Sequence, residues 1–250
     1  MFLIKDYDKY LYMAKKILLL ASFTKDILID ENDEVLREQS GGPGLFLSEV
    51  FRREKINFEI KAPPIFNVKI VITPSNEFGM VPVIPKKTKL DFTQLTEDCL
   101  VVSTVVREFD FDKLDKFTGK VFLDIQGYVR DETDFGKKKI WEPSLSVQKA
   151  IFCLKGTDEE LKYISSEFIE AQKKKILICT KGRQGAEIFY FGKKTIVKPK
   201  KVVKTENTIG AGDNFFGYFI SRFLEMQDVV RSANYASDKV IEFLRQKEIS

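Results

Sequence analysis

The 250 residues carry 41 Lys and Arg against 37 Asp and Glu, a net charge of +4, with 31% charged and 44% hydrophobic side chains. That balance excludes wholesale disorder and suits one folded unit, which at this length buries roughly 70–75% of the surface its unfolded chain exposes. Histidine is absent, which removes Ser-His-Asp and Cys-His nucleophile pairs, HExxH zinc sites and any imidazole base, and leaves chemistry to carboxylates, amines, hydroxyls and backbone dipoles.

The opening MFLIKDYDK is apolar only briefly before charge interrupts it, and the run Ile17 to Ala21 falls far short of the roughly 20 residues a membrane span needs, so a soluble, cytoplasmic chain with no membrane partner is expected. ILLLASF (Ile17 to Phe23) is a short continuous apolar run, the pattern of a strand buried on both faces. Asn57 to Pro85, alternating and rich in proline, suits a small antiparallel β flap at about 57–85. Buried-strand patterns recur at Lys120 to Ile125, Lys149 to Leu154 and Lys174 to Thr180, and the stretch Asp158 to Lys175 places Leu161, Ile164, Phe168 and Ile169 at helical spacing. Glu187 to Val203 reads as a hairpin turning at Gly192-Lys193. Phe215 to Met226 is apolar on nearly every face and reads as a buried helix, and Val229, Ala233, Ala236, Val240 and Leu244 give a last amphipathic one. Strands alternating with helices predict an α/β fold, a mostly parallel central sheet flanked by helices in one domain over 1–250 with a small β insertion. Ligands of such sheets sit beyond the carboxyl ends of the strands. Cys99, Cys153 and Cys179 stand far apart in or beside apolar runs, as buried core residues of a reduced protein do.

The sharpest local signal is Asn207-Thr208-Ile209-Gly210-Ala211-Gly212-Asp213 leading into the buried helix. Small residues at a helix start leave the first amides open to an anion, with about half a positive charge from the helix dipole. Asp213 stands at the lip, where an ionised carboxylate takes a proton from a hydroxyl while the amides of Gly210, Ala211 and Gly212 hold charge on a phosphoryl group in transfer. Read alone, the same tetrapeptide is also a tight turn followed by an aspartate cap.

NTIGAGDNFFGYF resembles the C-terminal signature of the PfkB/ribokinase family of carbohydrate kinases, D-T-T-G-A-G-D followed by a buried helix. Other stations follow in order. Thr180-Lys181-Gly182-Arg183-Gln184-Gly185 resembles the T-x-G-x-x-G turn that flanks nucleotide phosphates, and Ala21 to Asp26 the early G-x-x-x-x-D segment whose aspartate grips sugar hydroxyls. Gly41-Gly42 resembles the glycine pair that closes over the substrate. Asp124-Ile125-Gln126-Gly127-Tyr128-Val129-Arg130 is similar to a D-x-Q-G-[FY]-x-R segment of short members, some of them inositol kinases. The chain departs from the pattern at Asn207 (Asp in the signature), Ile209 (Thr) and Ala21 (Gly). The family's N-x-x-E segment, which arranges magnesium, is represented by Lys155 to Glu160 without its asparagine, with Asp158 or Glu159 at the glutamate position.

The resemblance implies a ribokinase-like kinase that uses ATP and Mg2+ to phosphorylate a hydroxyl of a small sugar, polyol (inositol-like) or nucleoside. Asp213 would be the base. Asp26, Gly41 and Gly42 would fix the acceptor, joined by Gln126 and Arg130 unless the latter are ordinary surface groups. Thr180, Gly182, Gly185, Asn207 and Thr208 would line the nucleotide, and Asp158 or Glu159 the metal. The alternative is a non-catalytic relative that keeps the fold as a ligand sensor or partner-binding protein, favoured by Asn207, Ile209 and the eroded magnesium segment. Lysines 193, 194, 198, 200, 201 and 204 form a basic stretch, but no recognition helix or aromatic platform accompanies it, so a solvated hairpin is expected rather than nucleic-acid binding. An uncovered flap would suit a homodimer.

Overall fold

The structure, a computed structural model, describes residues 16–30, 32–72, 77–203, 205 and 207–249. The MFLIKDYDK segment and Lys204 lie outside the described residues. Among these, β1 (Ile17–Ala21) leads directly into β2 (Thr24–Ile29) and β3 (Val35–Gly41), then α1 (Pro43–Arg53), β4 (Phe58–Lys61), β5 (Phe66–Ile72) and β6 (Glu77–Met80). There follow β7 (Cys99–Ser103), β8 (Lys120–Asp124), α2 (Gln126–Val129), α3 (Leu145–Ala150), β9 (Ile151–Thr157), α4 (Ser166–Lys173), β10 (Ile176–Thr180), β11 (Ala186–Tyr190), β12 (Lys193–Val197), α5 (Ala211–Met226) and α6 (Val229–Ile249).

Eight strands form one sheet in the order β12-β11-β10-β9-β8-β7-β1-β4. Its strands from β10 through to β4 run parallel, and β11 and β12 close one edge as an antiparallel hairpin. The period-two alternation of each strand divides the core. Ile17, Leu19, Val101, Phe122 and Cys153 pack with Leu47, Phe51, Phe216, Phe219 and Ala233 of α1, α5 and α6. Leu18, Leu20, Val102 and Leu123 pack with Phe109, Tyr128, Trp141 and Phe168 on the other face. This is the three-layer α/β arrangement the alternating pattern predicts. All three cysteines are buried, and none of them forms a disulfide.

The second sheet, β3-β2-β5-β6, draws on more of the chain than expected. The 57–85 segment contributes β5 and β6, whereas β4 pairs in parallel with β1 in the large sheet, and β2 and β3 come from before α1. The stretch read as one helix from Asp158 is broken: a 3-10 turn at Glu160–Tyr163 ends before Ser165, whose hydroxyl accepts from Phe168 N and starts α4 afresh. The hairpin turns one residue earlier than expected, at Phe191 and Gly192, both with positive φ as a two-residue type I′ turn requires.

Candidate active site

Four elements bring side chains to one point at the carboxyl ends of the parallel strands. Ser103 ends β7, Asp124 ends β8, Lys155 lies in the last half of β9, and Asp213 sits in the first turn of α5. Ser103 Oγ donates to Asp213 Oδ1 at 3.3 Å and lies 3.5 Å from Asp124 Oδ2. Lys155 Nζ is 2.6 Å from Asp124 Oδ2, in an ion pair with both side chains buried. The other Asp124 oxygen accepts from Gln126 N at 3.2 Å, at the start of α2.

Gly210 makes the turn possible. Its φ of 82° is left-handed, and a Cβ there would lie 2.5 Å from the Phe46 ring, so only glycine fits on both counts. The turn also corrects one expectation: Ala211 N donates to Thr208 O at 3.0 Å, because the left-handed Gly210 folds the chain back on itself, so that amide is not open to an anion. The amides of Gly210, Gly212 and Asp213 find no acceptor among the described residues. Lys155 Nζ stands beside this turn, 3.1 Å from where a Gly212 Cβ would be. An ammonium and the start of a helix thus face one space, a donor set that suits phosphate oxygens.

Burial pushes the Asp213 carboxyl up to about 6, with Asp124 adding to the rise and Lys155, Ser103 and Arg130 opposing it. Burial works against the charge of Lys155, but Asp124, Asp213 and Glu160 outweigh it and hold the ammonium charged. A carboxyl that titrates close to neutrality beside a fixed cation is the arrangement a general base requires.

The expected acceptor residues gather at the junction of the two sheets. Asp26 is buried, accepts from Thr24 Oγ1 at 2.6 Å, and is raised by desolvation against its hydrogen bonds to Thr24 and Gln39. Gly41 lies opposite, where any Cβ would run into the Asp26 carboxylate, and Gly42, at φ 83°, lies against the Ser22 carbonyl. Ser22 Oγ donates to buried Glu108 Oε1 at 2.7 Å, while Glu108 Oε2 and Arg130 Nε have no partner among the described residues. Burial lowers the Arg130 guanidinium, which Glu160, Asp124 and Asp213 counter, so this side chain belongs to the same electrostatic neighbourhood as Asp213. Gln126 is half-buried and joins the site through its backbone.

On the expected nucleotide side, Thr180 O accepts from Asp158 N at 3.3 Å, Gly182 has φ 53° with open space around it, and Gly185 at φ 95° abuts Val197 O. Thr208 and Asn207 form the approach to the α5 turn. Asp158 and Glu159 are both exposed, Glu159 paired with Lys162. Glu160 is the buried acid, accepting from Thr157 N at 2.8 Å while Thr157 Oγ1 accepts from Glu160 N at 3.1 Å, a reciprocal cap that turns it inward. Sequence reasoning missed Ser103, Lys155 and Glu160. The i, i+3 spacing of Thr157 and Glu160 was the signal for the last.

Of the basic stretch, Lys194 pairs with Glu187 at 2.8 Å and Lys200 with Asp238 at 2.6 Å. Among the described residues no helix is long and apolar enough to cross a membrane, and no group of three or more Cys, Asp or Glu is placed to hold a metal.

Residues 142–242 match the model described as pfkB family carbohydrate kinase. That span includes Thr180 to Gly185 and Asn207 to Asp213, and excludes Asp26, Gly41 and Asp124. No curated protein matches the sequence. Among solved structures, a pyrophosphate-dependent kinase of the ribokinase family in complex with sulfate is 13% identical with a TM-score of 0.70, over 90% of this chain and 93% of that one. The Arabidopsis thaliana ribokinase complexed with ribose and ATP is 13% identical at 0.66, over 90% and 91%. A nucleoside kinase from Methanocaldococcus jannaschii, an archaeal member of the ribokinase family, is 15% identical at 0.64, over 93% and 98%. At such identities the likeness is one of fold. The resemblance carried by the sequence motifs is therefore shown: the chain has the ribokinase-like fold, and its residues 142–242 match the pfkB family of carbohydrate kinases.

Proposed function

We propose that the protein is a kinase that moves the terminal phosphoryl group of ATP onto a hydroxyl of a small sugar, polyol or nucleoside. The observation that carries this reading is that Asp213, its carboxyl pushed up to about 6, shares one site with the Lys155 ammonium, whose charge acts on it, and with the open amides of the α5 turn. The acceptor hydroxyl gives its proton to Asp213 as its oxygen bonds to phosphorus. The bond from phosphorus to the bridging oxygen breaks, and the nucleoside diphosphate leaves with that oxygen. Lys155 and the amides of Gly210 and Gly212 neutralise charge on the transferred group, which is most of what phosphoryl transfer asks of a protein.

Asp26 and the Gly41-Gly42 turn fix the acceptor. The unpartnered Glu108 Oε2 and Arg130 Nε support a hydroxyl-bearing molecule, since buried polar atoms are costly unless a partner satisfies them. The Thr180 to Gly185 turn, with Thr208, flanks the donor. Mg2+, which is usually bound through one or two carboxylates plus substrate phosphates, would arrive with the donor and need a single carboxylate here. Glu160, not the exposed Asp158 or Glu159, is the acid for that task.

The test is phosphoryl transfer from ATP, and in parallel from pyrophosphate, to a panel of sugars, inositols and nucleosides, with Asp213→Asn alongside. Turnover of one acceptor by the wild type and its collapse in the variant are expected. Saturable binding of an acceptor with no donor consumed would identify a ligand sensor instead.

A further inference from the structure

The far end of the chain returns to the anion turn. Lys247, near the end of α6, places Nζ 2.7 Å from the Ile209 carbonyl and 3.0 Å from Asn207 Oδ1. Asn207 Oδ1 also accepts from Ile209 N at 3.2 Å, so one amide oxygen ties the loop to itself and to the ammonium. The side chain crosses two rings on the way: Nζ is 4.9 Å from the Phe243 centroid and 5.8 Å from Phe46, which meet edge to face. Phe46 is the ring that packs on Gly210. The carbonyl that Lys247 holds thus belongs to the residue just before the left-handed glycine, and one of the two rings it covers, Phe46, forms the floor of that glycine.

From this geometry we infer that Lys247 is a positioning residue, a tethered cation that sets the shape of the 207–210 loop and so the direction of the open amides. An ammonium bound by a carbonyl and an amide oxygen does what a bound monovalent cation does: it draws oxygens inward and fixes the loop that carries them. Asparagine at 207, where the kinase signature has aspartate, suits the arrangement. The Lys247 charge also reaches Asp26, where it opposes the rise that burial imposes on that carboxyl. The consequence for turnover rests on the kinase reading above; the consequence for the loop does not.

The experiment replaces Lys247 and supplies the cation from solution. Lys247→Ala is measured in ammonium or methylammonium chloride and, at equal ionic strength, in tetramethylammonium chloride, which is too large to enter. The variant is expected to lose about 10²-fold in kcat/KM for the donor, as displaced reacting groups do, and to regain part of it in the small cations alone. Its thermal midpoint should rise in the same salts, while the wild type responds to neither. Lys247→Met keeps the stem over the rings without the charge and should share the kinetic loss; it also serves if the alanine variant does not fold. Wild-type kinetics in Lys247→Met, or a Lys247→Ala loss that small cations leave untouched in both rate and midpoint, would overturn the inference. If no acceptor is phosphorylated, the midpoint response still decides the role of Lys247 and only the kinase reading falls.

Discussion

Lys155 Nζ and Asp124 Oδ2, 2.6 Å apart at the ends of neighbouring strands, form an ion pair with almost no exposure to solvent. Such pairs give little net stability against an apolar substitute, but loss of one partner leaves a buried charge alone and costs about 3–5 kcal/mol. Lys155→Met should therefore lower the unfolding free energy by about that amount in chemical denaturation. Asp124→Asn with Lys155→Met should recover much of the stability and none of the turnover, because the ammonium facing the anion turn is still missing. Recovery of activity in the double variant would reduce Lys155 to a structural counter-ion.

Asp213→Asn tests the proposed base directly. The amide keeps the shape and the Ser103 hydroxyl can still meet an oxygen, so donor affinity should change little while kcat falls by about 10²–10⁴-fold. Isothermal titration with a nucleotide separates the two effects. A rise in donor Kd comparable to the loss in kcat would assign Asp213 to binding.

The pH dependence has a fixed sign. A base must be ionised, so kcat/KM should climb as pH rises through about 6 and level off above, falling to about a tenth of the plateau one unit below. Stability moves the opposite way. Because burial raises the folded-state value above that of the unfolded carboxyl, the protonated form is favoured in the folded chain, and the stability this group supplies is lost as pH rises through about 6. Asp213→Asn should therefore melt higher than the wild type at pH 8, with the gap closing toward pH 5.

How much of this was legible in the residues follows from how local each signal is. ILLLA, KVFLDI and ILICT announce buried strands because both faces are covered, and the glycine turn announces itself because Gly210 alone tolerates its φ and its contact with Phe46. CLVVS of β7 carries the same signature and was available to the same reasoning. The small sheet was not, since TKDILI and VLREQSG acquire meaning only when β5, some forty residues on, lies beside β2. Lys155 is the hardest case. A lysine in a strand reads as its polar end, and only the neighbouring Asp124, thirty-one positions earlier, makes it a buried cation. Lys247 is equally hidden, since its target loop is brought to it by the packing of α5 against α6.

Gly41 offers a test of the proposed acceptor pocket that spares the proposed phosphoryl site. It stands across the β2–β3 ladder from Thr24, two pairs along from Asp26 and Gln39. Its backbone is not left-handed, so alanine brings no conformational strain of its own, but the added methyl would occupy the space of the Asp26 carboxylate. The carboxylate must rotate away and give up the 2.6 Å bond from Thr24 Oγ1. Gly41→Ala should therefore raise the acceptor KM by about 10-fold or more, as expected for the loss of one charge-assisted hydrogen bond of about 1.5–3 kcal/mol. Donor KM should stay within about twofold of wild type, since uniform binding is lost at one substrate alone. Saturation kinetics with each substrate varied in turn reads both quantities. An unchanged acceptor KM would mean that Asp26 holds the junction between the sheets and does not touch the acceptor.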